Sequence, residues 1–397
     1  MSTLDNKVRR REARAAVKFD NAHLAYCTNI HPAETWEETG RVLRADVLAV
    51  RDELRASGDL GADESFAIGL RLSARAAREL LEPGHIGRFR GWLEETNTYV
   101  FTINGFPYGD FHGTRVKEKV FQPDWTDPRR VEYTMDLFRI LARIAKPGTG
   151  ASVSTLPGSH KSFGADEPVM LRHLAETAIW IDDLAEKSGI DFHLGLEPEP
   201  LGHFEDTLET LSFFERLHDA APDSDAVHRR VGVNYDACHF AIEFNPAGPS
   251  LDVFRNTGVR ISKIHLSSAL ALDPRDPAAV DAIRGFDEPT YFHQVIALDE
   301  AGALRRFTDL PDFLTADRSG LLEARVHFHI PLDAEPAQPL LSTIDHVEEV
   351  LAWKRANPDA CRHYEIETYT WGVLPAEMRR PVAAQIAGEY RWVLGAR

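Results

Sequence analysis

The feature that most constrains this chain is an eightfold alternation. Short runs rich in β-branched and aromatic residues end in polar or Gly/Pro loops, and most lead into a segment with helical spacing. The runs lie at 24–30, 66–72, 98–103, 151–156, 191–197, 231–236, 259–266 and 363–368. Between the fourth and fifth, Met170, Leu171, Leu174, Ala178, Ile181, Leu184 and Ala185 recur at three- and four-residue steps. That spacing lays one apolar face on a sheet, and Gly189 stands where such a helix would end. Eight uninterrupted β/α units predict a closed (β/α)8 TIM barrel. An open, doubly wound sheet is the competing architecture, but no GxGxxG turn follows the first run.

The rhythm breaks between Ser267 and about Leu341. Two strand-like runs, 291–298 and 304–308, are joined across 299–303; a third, 324–330, follows, and the next convincing helix is 344–355. This predicts an inserted β-rich cap after strand seven, a small antiparallel sheet over the barrel mouth. The expected organisation is one barrel domain over 1–397, with its core at about 21–397 and the cap at 268–341.

Composition narrows the partners. Asp and Glu number 62 against 45 Lys and Arg, a net charge of −17, which repels phosphate backbones and anionic lipid. No nucleic acid partner is expected. No apolar run approaches the length that crosses a bilayer, so no direct membrane insertion is expected either. Arg9, Arg10 and Arg11 lack a following apolar segment and read as a solvated helix start, not a secretory signal. Cys27, Cys238 and Cys361 are few and far apart, with no CxxC pair, which suits a reducing cytoplasm.

In a barrel of this kind functional groups collect at the C-terminal ends of the strands. Here strand five ends in Glu197, strand six in Asp236 with His239 three residues on, strand seven carries His265, and strand eight carries Glu367. Any one of these acids alone reads rather as a helix N-cap or a surface charge. Three carboxylates and an imidazole on consecutive strands would repel one another without a cation between them. The expectation is therefore one divalent metal ion (Mn, Mg, Co or Zn) held by Glu197, Asp236, His265 and Glu367. His239 and Glu365 are the alternative or outer ligands.

The order Glu, Asp-x-x-His, His, Glu on strands five to eight resembles the xylose isomerase-like superfamily of TIM barrels, which includes sugar isomerases, ketose 3-epimerases and endonuclease IV. More narrowly, the strings YCTNIHPAETW, NGFPYGDFHG, VKEKVFQPDW, STLPGSHK and LGLEPEP resemble the EboE-type metabolite traffic proteins, which are encoded beside a prenyltransferase-like partner. The resemblance implies a metal-dependent isomerase or epimerase acting on a sugar, cyclitol or similar polyol. In that branch the metal polarises a carbonyl, and the residues matching Glu197 and Glu367 act as acid and base. It also implies a prenyltransferase-like partner. One departure stands out. The aldose isomerases carry a Glu-Pro-Lys-Pro string whose lysine assists a hydride shift, whereas this chain has Glu199 in the lysine's place. A non-catalytic metabolite-binding or traffic protein that keeps the barrel is therefore the second reading, and a metal-dependent hydrolase the third.

Around this centre, His31 and Trp36 after strand one, Phe106 and His112 after strand three, Glu199, and His329 of the cap are candidate substrate-binding residues. Aromatic groups at a barrel mouth can wall off the carbon face of a polyol; the same residues suit a packed loop. His327 and His329 leave one strand on the same side, as a metal-binding pair or as hydrogen-bonded packing residues. Arg71 is expected to neutralise an acidic neighbour, His160 and Lys161 to sit on an exposed loop, and Cys238 to be a small buried residue. Apolar edges on the cap could bury a contact between copies, so a homo-oligomer is one expectation.

Overall fold

The computed structural model describes residues 19–109, 117–375 and 378–395. Arg9, Arg10, Arg11 and His112 lie outside the described residues. The first seven strands are β1 (His23–Tyr26), β2 (Phe66–Arg71), β3 (Thr98–Asn104), β4 (Ala151–Thr155), β5 (Phe192–Leu196), β6 (Val231–Asp236) and β7 (Arg260–Leu266). The insertion adds β8 (Ser268–Leu272), β9 (Val295–Asp299), β10 (Leu304–Phe307), β11 (Leu321–Ile330) and β12 (Leu341–Ser342), and β13 (His363–Ile366) completes the barrel. The parallel sheet runs β1-β13-β7-β6-β5-β4-β3-β2, and a parallel bridge between Cys27 and Gly69 closes the ring. The expected barrel is therefore present, and all eight of its strands fall on the runs read from the sequence.

Helices pack outside the ring for the reason their spacing gave. Helix Glu167–Ser188 starts with Pro168 in its first turn, buries Met170, Leu174, Ala178 and Ile181, and stops at Gly189, whose φ of 69° suits a residue without Cβ. Below the mouth, the barrel interior holds His23, His193, His363, Tyr99 and Phe101 in edge and tilted ring contacts. No helix among the described residues is long and apolar enough to cross a membrane.

Ring closure depends on Gly69. A Cβ there would run into the Glu365 carboxylate and stand 2.6 Å from the Tyr26 carbonyl oxygen. Gly69→Ala is expected to destabilise the protein by about 3 kcal/mol, the upper range for overpacking a rigid core. Urea unfolding checks this, and an unchanged midpoint would contradict it.

The insertion is an antiparallel sheet ordered β10-β9-β11-β8-β12, with its own apolar cluster that includes Leu270, Ile283, Phe286, Val295, Phe313 and Phe328. The three runs read as strands lie on β9, β10 and β11. Two strands and two helices, Pro277–Ile283 and Leu310–Thr315, are additional. β8 reads Ser-Ala-Leu-Ala-Leu, without a β-branched residue, and follows β7 with no turn signal between them. The cap is tied to the barrel by polar contacts. Arg306 donates to Glu243 at 2.6 Å, Arg325 donates to the Ala241 carbonyl at 2.6 Å, and Thr370 Oγ1 donates to the His329 carbonyl.

The last helix, Val382–Gly395, brings in a buried acid. Glu389 Oε2 accepts from Thr368 Oγ1 at 2.6 Å and from the Leu332 amide at 3.2 Å. Burial raises this carboxyl from 4.5 to about 7. A raised acid costs stability as pH climbs, because the unfolded chain releases the proton first. The penalty is absent below 4.5, grows up to about 7 and is constant above. Glu389→Gln is expected to flatten that part of the stability profile. Unfolding midpoints of both proteins at pH 4.5 and 7.5 check it, and parallel profiles would contradict it.

Candidate metal centre

The parallel register sets one layer of the barrel. Asp236 pairs with His265 across β6 and β7, and His265 pairs with Glu365 across β7 and β13. Glu197 follows β5 directly, and Glu367 follows β13 directly, on the same face of the chain as Glu365. As a result Glu197, Asp236, His265 and Glu367 each place one ligand-capable atom within 4.8 Å of the other three, and all four residues are buried.

Each carboxylate is held at one oxygen, leaving the other turned to the centre. Asn234 Nδ2 donates to Glu197 Oε2 at 2.7 Å. Asn29 and Asn104 donate to Glu367 Oε1 at 2.8 and 3.2 Å. Ser267 Oγ and the His239 amide donate to Asp236 Oδ1 at 2.6 and 3.2 Å. The remaining oxygens, Glu197 Oε1, Asp236 Oδ2 and Glu367 Oε2, lie 3.3, 3.3 and 3.2 Å from His265 Nδ1. Asp236 Oδ2 is buried and has no hydrogen-bond donor.

The ring of His265 is oriented from behind. Its Nε2 lies 3.1 Å from Glu365 Oε2, which also accepts from Lys263 Nζ at 2.6 Å. A carboxylate oxygen only accepts, so Nε2 carries the hydrogen shared with Glu365, and a neutral ring would present the lone pair of Nδ1 to the three oxygens. Lys263 and His265 together overcome burial and hold Glu365 down at about 2. Burial alone would lower the Lys263 ammonium, but Glu365 beside it keeps it above its usual value. Glu365, the alternative ligand, therefore serves as the outer partner of His265.

Three inward oxygens and one inward nitrogen form a donor set that could hold a cation. Left to itself the site would take a proton on His265, which the adjacent Glu367 and Glu197 push well above 6.5 against the effect of burial. A divalent ion would fit the same donors: two ligands at ~2.1 Å from one ion stand about 3.0–3.4 Å apart, which matches the spacing of the three oxygens from His265 Nδ1. Carboxylate oxygens with a single imidazole suit Mn²⁺, Mg²⁺, Co²⁺ or Zn²⁺.

A cavity opens directly onto Glu197 and Glu367. The barrel contributes Asn29, Asn104, Phe106, Glu199 and His239 to its wall, and the cap contributes Tyr291, Gln294 and His327. Lys117 stands at its side, paired with Asp309 and lying over the Phe292 ring. Burial, reinforced by the nearby carboxylates, pushes Glu199 up to about 8, so it offers the cavity a proton donor at neutral pH. Burial likewise pushes Glu367 up, to about 7 before any metal is bound, with Glu197 and Asp236 adding to the effect.

Phe106, Glu199 and His239 thus line the cavity, while His329 sits in the cap strand beside His327, its Nδ1 3.0 Å from the Glu367 carbonyl. His31 and Trp36 lie elsewhere. His31 Nε2 shares a 3.1 Å hydrogen bond with the Tyr26 hydroxyl in a separate hollow, and Trp36 packs edge-on against Phe89 at 5.0 Å. Arg71 pairs with Glu34. Lys161 pairs with Glu205 and Glu209, His160 is buried against Phe121, and Cys238 is buried. The residues not singled out from the sequence are those that hold the carboxylates: Asn29, Asn104, Asn234, Ser267 and Lys263. The available signal was an ionisable Lys263 inside a central strand, two residues before His265 on the same face.

No family model matches the sequence, and no curated protein matches it. Among solved structures, the chain is similar to the IolI protein with a bound zinc atom, at 10% identity and a TM-score of 0.48 over 94% of this chain and 97% of that one. It is also similar to AsbF of Bacillus anthracis, described as a probable 3-DHS dehydratase involved in petrobactin synthesis, at 12% identity and a TM-score of 0.45 over 91% and 97%. A xylose isomerase domain protein of Alicyclobacillus acidocaldarius gives 14% identity and a TM-score of 0.44 over 94% and 98%. The likeness is one of fold.

Proposed function

We propose that this chain is a divalent-metal-dependent isomerase or epimerase that moves a proton at a carbon beside a carbonyl of a sugar, cyclitol or similar polyol. The observation that carries the reading is the division of labour at each carboxylate, with one oxygen fixed by an amide or hydroxyl and the other close to His265 Nδ1. Such oxygens are preorganised for a cation and would be mutually repulsive without one.

A divalent ion bound there would supply Lewis acidity to a substrate carbonyl, making the neighbouring C–H more acidic. The chain's own groups would do the rest. Glu197 and Glu367 come from strand ends three places apart around the ring, so they face a substrate from different sides. One carboxylate would take the proton from carbon and the other return one to the opposite face. Glu199, which keeps its proton at neutral pH, would hydrogen-bond a substrate oxygen. Phe106 and Tyr291 would cover the carbon skeleton and keep water from the reacting carbon.

The test is solvent exchange. Metal-loaded protein is incubated in D₂O with a panel of ketoses and oxidised cyclitols, and deuterium at carbon is read by NMR and mass spectrometry. Metal-dependent incorporation beside a carbonyl is the expected result. Tight binding of panel members with no incorporation would contradict the proposal and leave the binding-protein reading.

A further inference from the structure

Above the four-residue centre, the cap strand β11 places His327 and His329 on one face, with their Nε2 atoms 3.3 Å apart. The hydrogen bonds on the far side of each ring fix what these atoms are. Gln294 Nε2 donates to the Pro200 carbonyl at 3.2 Å, so Gln294 Oε1 is the acceptor facing His327 Nδ1 at 2.7 Å. His329 Nδ1 lies 3.0 Å from the Glu367 carbonyl oxygen. Both Nδ1 atoms must therefore carry hydrogen, and in the neutral rings both Nε2 atoms are bare lone pairs pointed at each other. His239 follows the same pattern, with Nδ1 2.8 Å from the Pro198 carbonyl. Three imidazoles are thus turned by backbone or amide oxygens into the tautomer that leaves Nε2 free.

Two facing lone pairs at this distance repel unless a cation lies between them. A proton on one ring is a costly remedy, because both rings are buried and both lie against a third imidazole, with His239 centroids 4.8 and 5.6 Å away. A metal ion is the better fit. Two nitrogens bound at ~2.05 Å to a tetrahedral ion stand about 3.3 Å apart. Further donors are at hand: Cys238, His327 and His329 offer atoms within 4.8 Å of one another, as do Glu199, His239 and His327, and Asp236, His239 and His329.

We infer that His327 and His329, with Cys238 and His239 beside them, form a second metal site, selective for a borderline ion such as Zn²⁺, at the junction of cap and barrel. Imidazole nitrogens prefer such an ion to Mg²⁺ or Ca²⁺. Asp236 belongs to both donor sets, so the two ions would be neighbours sharing one carboxylate. Because the cap supplies His327 and His329 while the barrel supplies His239 and Asp236, zinc here would also pin the cap over the cavity. The inference stands on the tautomers and needs no assumption about the reaction.

The test counts ions. Protein stripped with chelator is titrated with Zn²⁺, freed of excess metal and assayed for zinc by mass spectrometry, alongside the His327→Asn/His329→Asn double variant and His265→Ala. Two ions per chain are expected in the native protein, one in the double variant and one in His265→Ala. A double variant holding as much zinc as the native protein overturns the inference. A native protein binding only the ion that His265→Ala loses also overturns it. Should the first centre fail instead, His265→Ala would leave the content unchanged while the double variant still lost an ion. Native protein with ¹⁵N-labelled histidine provides a readout that needs no variant to fold. Two or three imidazole Nε2 resonances should move with zinc, in addition to the Nδ1 resonance of His265, and their absence contradicts the site.

Discussion

Replacing Glu367 by Gln is expected to slow substrate-dependent exchange of carbon-bound hydrogen by about 10³-fold, within the range assigned to a positioned general base. The substitution is nearly isosteric, and Asn29 and Asn104 can still hold the amide oxygen as they hold Oε1. What the amide lacks is a basic oxygen at the position of Oε2. Because the change also removes one inward ligand oxygen, exchange is read at metal concentrations that fill the site, and its loss there is the expected result. Exchange persisting at the native rate would remove Glu367 from the mechanism.

The second large effect is on stability. Lys263→Met is expected to destabilise the fold by about 3–5 kcal/mol, because it strips a fully buried carboxylate of its cation. Lys263 and Glu365 are both inaccessible to solvent, 2.6 Å apart, with Ser154 Oγ accepting the ammonium's other hydrogen bond at 2.9 Å. Glu365 orients His265, so the same variant should also weaken metal binding. Removing both partners, as Lys263→Met with Glu365→Leu, should recover much of the stability without recovering the metal. Chemical denaturation of the two variants checks the pair, and equal instability of single and double variants would contradict this account.

These two cases show what was legible in the sequence. Glu367 was visible because a carboxylate at the end of a barrel strand has a recognisable position, as do Glu197 and Asp236. The eight strands were visible because their alternation with helical spacing is a local property. Lys263 was hidden because its meaning lies in a partner on another strand, Glu365, to which register alone connects it. The asparagines at 29, 104 and 234 were hidden for the same reason, since each looks like an ordinary loop or strand-end residue until a carboxylate is placed beside it. His31 and Trp36 follow strand one yet lie off the cavity, because the turn and helix after β1 carry them outward into packing with Tyr26 and Phe89. In the cap, β11 was legible from its apolar alternation, while β8 was not, since Ala and Leu carry no strand preference of their own.

The central claim is that three buried carboxylates and His265 are arranged for a divalent cation. It is tested most directly by metal content after chelator treatment and reloading with Mn²⁺, Co²⁺ or Zn²⁺, comparing the native protein with folded Glu197→Gln and His265→Ala variants. The account predicts near-stoichiometric metal at this centre in the native protein and its loss in both variants. A native protein that takes up none of the three ions, or variants that bind them as the native protein does, would contradict it.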